Sequence, residues 1–278
     1  MKPIISALIG FAVLFVSADA ASPVTEQTVW QETYAVDTTE PRLVINNIWG
    51  GIQVRTGAVG QISVSAVELR SAPDQERFDR SRENLLINID ADAYGASFRV
   101  GDPNEQRARI ENCRGCRLDV QFEAVVPPGT IVDVGTVMAG RVDVRDVAGT
   151  VTASNVNGPV DVDGIQECES IESVNGKINV GFSRSPAQNC NIETVNGDIT
   201  LDVPAGTGMD VTLDLFNGEV VSELMAGPLD LAATVEQTTE NGHRQYRIQK
   251  LTGLRIGAGG PVYSISSMNG DVRIQKHQ

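Results

Sequence analysis

The sequence predicts an all-β chain. Its expected form is a β-solenoid, or β-helix-like, stack of short strands in rungs of 18–21 residues, with one short helix in the N-terminal part. Three observations carry this. "SVNGKINV" at 173–180 returns 21 residues later as "TVNGDITL" at 194–201. Asn-Gly occurs six times, where composition alone would give about 1.6. The glycines at 140, 158, 176, 197 and 218 are spaced 18, 18, 21 and 21, and a segment that alternates apolar and polar residues follows each of the first four. Period-two alternation is the mark of a strand with one buried face.

Taken in order, the chain begins with a basic Met1-Lys2, an apolar run Ile4–Val16 and Ala18-Asp19-Ala20. This is the pattern of a secretory signal peptide over 1–20, cut after Ala20. No cysteine lies near the cut, which argues against a lipid anchor, and no later stretch is apolar enough for a membrane span. Residues 21–278 are then read as one exported domain. Its first part, 21–125, holds strands, a helical insert and a cap. "LVINNIWGGIQV" at 43–54 carries a weaker copy of the motif, and "APDQERFDRSRENLL" at 72–86 is the best helix, with Phe78, Arg82 and Leu85 on one face. "LLINIDA", "FRV" and "RLDVQFEAVV" return to strand.

The middle part, 126–222, holds the regular rungs. Val142 and Val144, Val160 and Val162, Ile178 and Val180, and Ile199 and Leu201 are the inward pairs. The turn residues are Asn157-Gly158, Asn175-Gly176, Asn196-Gly197 and Asn217-Gly218, with Asn269-Gly270 and Asn241-Gly242 further on. Glycine reaches positive φ freely, and asparagine tolerates the same region. Asn-Gly also signals tight hairpins, but hairpins need no fixed period, so stacked coils are the better expectation. "VPPGTIVDV" at 126–134 echoes "VPAGTGMDV" at 203–211, and Gly140, Gly149 and Gly158, nine apart, suggest two strands per coil. The last part, 223–278, alternates again and is read as C-terminal strands and a cap.

This series of motifs resembles the bacterial putative-adhesin family that carries the domain of unknown function DUF4097. The quoted carriers are "NNIWGGIQV", a polar helical insert, "VPPGT" before "VDV", and serial "VNGxI" copies, over roughly 40–275. "TVMAG" in place of "VNG" at the first rung and the four cysteines depart from the pattern. The resemblance implies an exported β-solenoid-like domain and supplies no catalytic residues.

Cys168 and Cys190 sit eight and seven residues before their glycines, at nearly equivalent places on adjacent rungs. Strands about 4.8 Å apart suit a disulfide between rungs. Cys113 and Cys116, in "CRGC", remain as a second pair. Strand follows them rather than helix, which favours a structural bridge over a reactive thiol, although Arg107, Arg109, Arg114 and Arg117 are near in sequence. Zinc would need four close ligands, and the histidines lie far off at 243 and 277. No cofactor or metal is expected.

The net charge of −14, unchanged on removing the leader, argues against nucleic acid and anionic lipid. It favours a monomer. No nucleophile elbow or phosphate loop is present, and "DVDG" at 161–164 lacks the rest of a calcium loop. Asp161, Asp163, Glu169, Glu172, Glu193, Asp198 and Asp202 could form a glycosidase pair, which needs two carboxylates about 5–9 Å apart. Their alternation with buried residues reads instead as a solvated acidic face. Trp30 and Trp49 are expected to pack or cap. The expectation is a non-catalytic binding or structural protein of the periplasm or cell surface, an adhesin or envelope scaffold, whose partner is an envelope protein or surface glycan. The alternatives are a carbohydrate-active β-helix enzyme and a periplasmic sensor domain.

Overall fold

The structure is a computed structural model. It describes residues 11–15, 23–101, 113–138, 140–224, 226–229, 234–240, 243–249 and 252–276. The leader's cleavage site, Arg107, Arg109, Asn241-Gly242 and His277 lie outside these.

The chain is all-β with a single short helix among the described residues. In order, the first elements are β1 (Phe11–Phe15), β2 (Val24–Ala35), β3 (Arg42–Asn46), β4 (Ile52–Thr56), β5 (Gln61–Ala72), α1 (Gln75–Asn84), β6 (Leu86–Ala91), β7 (Gly95–Gly101) and β8 (Arg117–Val126). The repeats form β9 (Ile131–Met138), β10 (Val142–Arg145), β11 (Thr150–Asn157), β12 (Val160–Ile165), β13 (Glu167–Asn175), β14 (Ile178–Phe182), β15 (Cys190–Asn196), β16 (Ile199–Val203), β17 (Met209–Asn217) and β18 (Val220–Ser222). The remainder are β19 (Ala226–Pro228), β20 (Thr234–Glu240), β21 (His243–Gln249), β22 (Thr252–Ile256), β23 (Val262–Asn269) and β24 (Val272–Lys276).

From β9 to β18, successive strands alternate between two eleven-stranded sheets, which run β1-β2-β5-β8-β4-β10-β12-β14-β16-β24-β18 and β19-β22-β17-β23-β15-β13-β11-β9-β3-β7-β6. Between β9 and β16 each strand pairs in parallel with the strand two earlier. In one sheet the register joins Ile52, Val142, Val160, Ile178, Ile199 and Val272. In the other it joins Phe98, Ile45, Val134, Ala153, Ile171, Ile192, Ile265 and Leu213. All of these are buried. The predicted inward pairs therefore form columns that meet in a single core between the sheets. Each such side chain contributes about 1.5–3 kcal/mol by leaving water.

Two segments read as caps lie inside the stack. β23 and β24 insert between β15–β16 and β17–β18, so 262–276 is an interior copy of the motif. β3 and β4 pair with β9 and β10, which makes 42–56 interior too. The regular spacing holds from Val142 to Ile199 and then breaks, because the next strand in space is 73 residues on. Antiparallel strands close both ends instead: β2, β5 and β6 at one, β19 and β22 at the other. β20 and β21 form a separate two-stranded ribbon.

The predicted helix is α1. The Asp74 carboxylate accepts from the Arg77 backbone N–H at its start (2.9 Å), and Phe78 buries its inner face.

Candidate interaction surface

The Val-Asn-Gly turns stack along one edge of the molecule. A Cβ added to Gly176 would lie 2.0 Å from the Gly158 carbonyl oxygen. The same holds for Gly158 on Gly140, Gly197 on Gly176, Gly270 on Gly197 and Gly218 on Gly270, all within 2.1 Å. Glycine is needed because backbone passes over backbone. Positive φ is found at Gly158, Gly218 and Gly270 but not at Gly176 or Gly197, and at no described asparagine, so it is not the shared reason for glycine at these corners. The five Asn-Gly pairs among the described residues lead from a strand of one sheet to a strand of the other, whereas the β20–β21 ribbon pairs Glu240 with His243, the residues that flank Asn241-Gly242.

Asparagine has a different task. Asn175 Nδ2 donates to Asn157 Oδ1 (3.1 Å), Asn196 to Asn175, Asn269 to Asn196, and Asn217 to Asn269 (each 2.9 Å). This amide ladder joins five strands. A second polar column lies just inside it. Thr136 donates to the Gly50 carbonyl, Asn155 to Gly140, Ser173 to Gly158 and Thr194 to Gly176 (2.8–3.3 Å). The edge is thus pinned twice where Asn175 meets Asn157 and where Asn196 meets Asn175, while the next inner hydroxyl, Ser267, is buried without a partner.

The residue before each ladder asparagine points outward, as does Val137 before Met138, the register partner of Asn157. Val137, Val156, Val174, Met268 and Phe216 are exposed, and Val195 is half-buried between Val174 and Met268. Phe216, at the end, is 82% exposed and Met268 is 54% exposed. The register of β9, β11, β13, β15, β23 and β17 puts these six side chains in one continuous strip. A contiguous exposed apolar patch on a soluble protein marks a contact surface more often than a lone exposed residue does.

The carboxylates considered for catalysis are divided between the two sheets. Asp161 accepts from Asn179 (2.6 Å) and pairs with Arg141 (3.2 Å), while Asp163 pairs with Arg145 (3.0 Å). Asp198 meets Lys177 at 3.6 Å. Glu172 accepts from Ser170 and stacks on Glu193 across two strands of the other sheet. Glu169 is 3.5 Å from the Thr152 hydroxyl. One oxygen of Asp202 is buried without a hydrogen-bond partner. A depression of about 200 Å³ is lined by Arg42, Asp90, Asp92 and Tyr94, and one of about 70 Å³ by Glu123, Asp143 and Arg145. Neither includes those carboxylates.

Cys168 and Cys190 lie on neighbouring strands, and Cys113 and Cys116 bracket a turn; both pairs are at disulfide distance, with Cα atoms 5.5 Å apart. Among the described residues no group of three or more His, Cys, Asp or Glu is placed to hold a metal, and no helix is long and apolar enough to cross a membrane.

One cluster was not anticipated. Trp30 packs on Phe98 and Phe122 and donates through Nε1 to Glu68 (2.5 Å). Arg70, beside Glu68, donates to the Ser81 carbonyl of α1 (2.6 Å), and Arg82 of α1 pairs with Glu26 (2.5 Å). Burial pushes the Glu68 carboxyl up, against the opposing pull of the Trp30 bond and Arg70. Burial likewise lowers Arg70. Period-two alternation along 24–35 and 61–72 does place Glu26, Trp30, Glu68 and Arg70 on one face. These groups fasten α1 to the sheet.

No family model matches the chain, and no curated protein matches it in sequence. The DUF4097 resemblance therefore rests on the motifs quoted above. Among solved structures the chain is similar to "a putative cell adhesion protein" from Clostridium sporogenes ATCC 15579, at 10% identity and a TM-score of 0.43, over 89% of this chain and 99% of that one. It is also similar to "a putative adhesin" from Bacteroides fragilis NCTC 9343, at 12% identity and a TM-score of 0.38, over 89% and 96%.

Proposed function

We propose that this chain is an exported, non-catalytic binding protein of the adhesin or envelope-scaffold type. In this reading its body is a two-sided β-solenoid, and it presents the Val-Asn-Gly edge to an envelope partner. The carrying observation is the apolar strip from Val137 to Phe216, held rigid by the asparagine ladder beneath it. A rigid surface loses little conformational entropy on binding. Two cysteine pairs at disulfide distance fit an oxidising compartment.

The test is site-specific photo-crosslinking in cells that export the chain. A benzophenone side chain at Phe216 or Met268 should give one discrete adduct. The same group at Val59, 83% exposed on a loop away from the strip, should give none. Adducts at Val59 alone, or none at the strip, would remove the surface from consideration. Protease shaving of the same cells then separates a cell-surface location from a periplasmic one. Hydrolysis of envelope polysaccharide by the purified protein, lost on changing one acidic residue, would support the enzyme alternative instead.

A further inference from the structure

The apolar strip runs between two rows of carboxylates at its C-terminal half. On one side the register stacks Glu172, Glu193, Ser266 and Asp214. On the other, Asp198, Asp271 and Glu219 each follow a glycine of the edge. The Asp271 N–H donates to Asp198 Oδ1 (3.1 Å) and the Glu219 N–H to Asp271 Oδ1 (2.9 Å), so these three also stack. All six acids are exposed. Lys177 reaches Asp198, and among the described residues no ion pair involves the other five. Like charges on adjacent strands repel and destabilise the sheet. The N-terminal half of the strip is different: beside it lie Gly135, Ser154, Arg141 and Pro159. The acids are therefore local to this half: Glu172 lies beside Val174, whose other flank is Lys177, Glu193 and Asp198 beside Val195, Asp271 beside Met268, and Asp214 and Glu219 beside Phe216.

The spacing selects the shape of a partner. Apolar side chains in the strip recur at the strand separation, about 4.8 Å. An α-helix repeats its apolar stripe every turn, about 5.4 Å. An extended strand repeats its inward side chains only every ~6.6 Å. Over four strands the helix drifts by roughly 2 Å and the extended chain by roughly 5 Å. We propose that Val174, Val195, Met268 and Phe216 dock a basic amphipathic helix, its apolar stripe on the strip and its Lys or Arg residues on the two acidic rows. This deepens the interaction-surface reading and rests on it.

The experiment uses the full mature chain and a fluorescein-labelled peptide about fourteen residues long, built of leucine and lysine in the pattern of an amphipathic helix. Fluorescence anisotropy should show saturable binding that weakens as salt rises. The same peptide with glutamate for lysine should not bind, and octalysine should bind at least tenfold more weakly. Phe216→Ser with Met268→Ser should cost tenfold or more. Glu193→Gln with Asp214→Asn should cost about threefold and flatten the salt dependence. All four positions are exposed, and a Val59→Ser control should be unchanged. Equal binding by octalysine, indifference to the Phe216 and Met268 changes, or no binding of the leucine–lysine helix would each overturn the proposal. A dimer of the free chain that the Phe216 and Met268 changes dissolve would overturn it too, by naming a second copy as the occupant. Crosslinking at Phe216 in cells without helix binding would keep the surface and reject only this chemistry.

Discussion

The side-chain amide of Asn196 donates to that of Asn175 at 2.9 Å, although the two are 21 residues apart in the chain. An interior amide uses its N–H toward one neighbour and its carbonyl toward the other and so serves two ladder bonds; Asn217, at one end, serves one, and Asn157, at the other, accepts from Asn175 and donates to the Val137 carbonyl at 3.1 Å. Replacing Asn175 by Ala should cost about 1 kcal/mol, since it removes two ladder bonds at once and leaves the exposed Asn157 Oδ1 and Asn196 Nδ2 to water. Asn217→Ala removes one such bond, to Asn269 Oδ1, and should cost about half as much. Urea denaturation of the two variants gives the comparison; equal losses would mean that the ladder bonds are not what the substitutions remove.

The glycine column should be less forgiving. A methyl at Gly176 meets the Gly158 carbonyl carbon at 2.5 Å as well as its oxygen, and backbone cannot move aside as a flexible side chain can. Gly176→Ala and Gly197→Ala should each destabilise by more than about 2 kcal/mol, or prevent folding. Gly227→Ala, where a Cβ meets nothing within 4 Å, should change stability little. Melting temperatures of the three variants read this directly, and a mild Gly176→Ala would show that the stack can open at that step.

How much of this was legible follows from what a local pattern can carry. The strands from 142 to 201 were visible because alternation and glycine spacing are local. The place of 262–276 was not. "SMNG" reads like any other copy, and nothing in it says that its neighbours are Asn196 and Asn217 rather than a chain end. Identical motifs are interchangeable in sequence, and only closure of the ends by β19 and β22 selects the order. The asparagine ladder was not visible for a related reason: Asn-Gly marks the corner between two strands, and nothing in the pair says that successive side-chain amides meet one another. The strip was partly visible as the Val of each "VNG". Its continuation through Met268 to Phe216 needed the stacking order. Glu68 and Arg70 occupy inward positions of an otherwise apolar strand, a conflict in the pattern that marks the place where α1 docks.

The two cysteine pairs should differ in their effect on global stability. Cys168 and Cys190 are separated by 22 positions and tie adjacent strands, while Cys113 and Cys116 are separated by three. In the chain-entropy model the first bridge contributes about 3 kcal/mol and the second about 2. Cys168→Ser with Cys190→Ser should therefore lower the denaturation midpoint more than the other double variant does. Dithiothreitol should lower the wild-type midpoint to a similar extent or further. A larger loss from the 113/116 pair would rule out loop closure as the source.

The Glu68 site should make stability depend on pH in a stated direction. Its carboxyl is raised in the folded chain by burial, so the folded state keeps its proton when the unfolded chain has lost it. Folded protein then binds more protons than unfolded protein between the ordinary carboxylate value and the raised one. Stability from this group is accordingly highest at low pH and falls as pH rises through that window. Glu26, Arg70 and Arg82 are the charged groups that face it. Glu68→Gln keeps an acceptor for Trp30 Nε1 and carries no charge, so the decline should flatten. The measurement is the melting temperature of both proteins from roughly pH 4 to 8, read as their difference at each pH. A difference that moves in the variant's favour as pH rises supports the assignment. Parallel curves would show that Glu68 is ionised in the folded chain throughout, with Arg70 outweighing the cost of its burial.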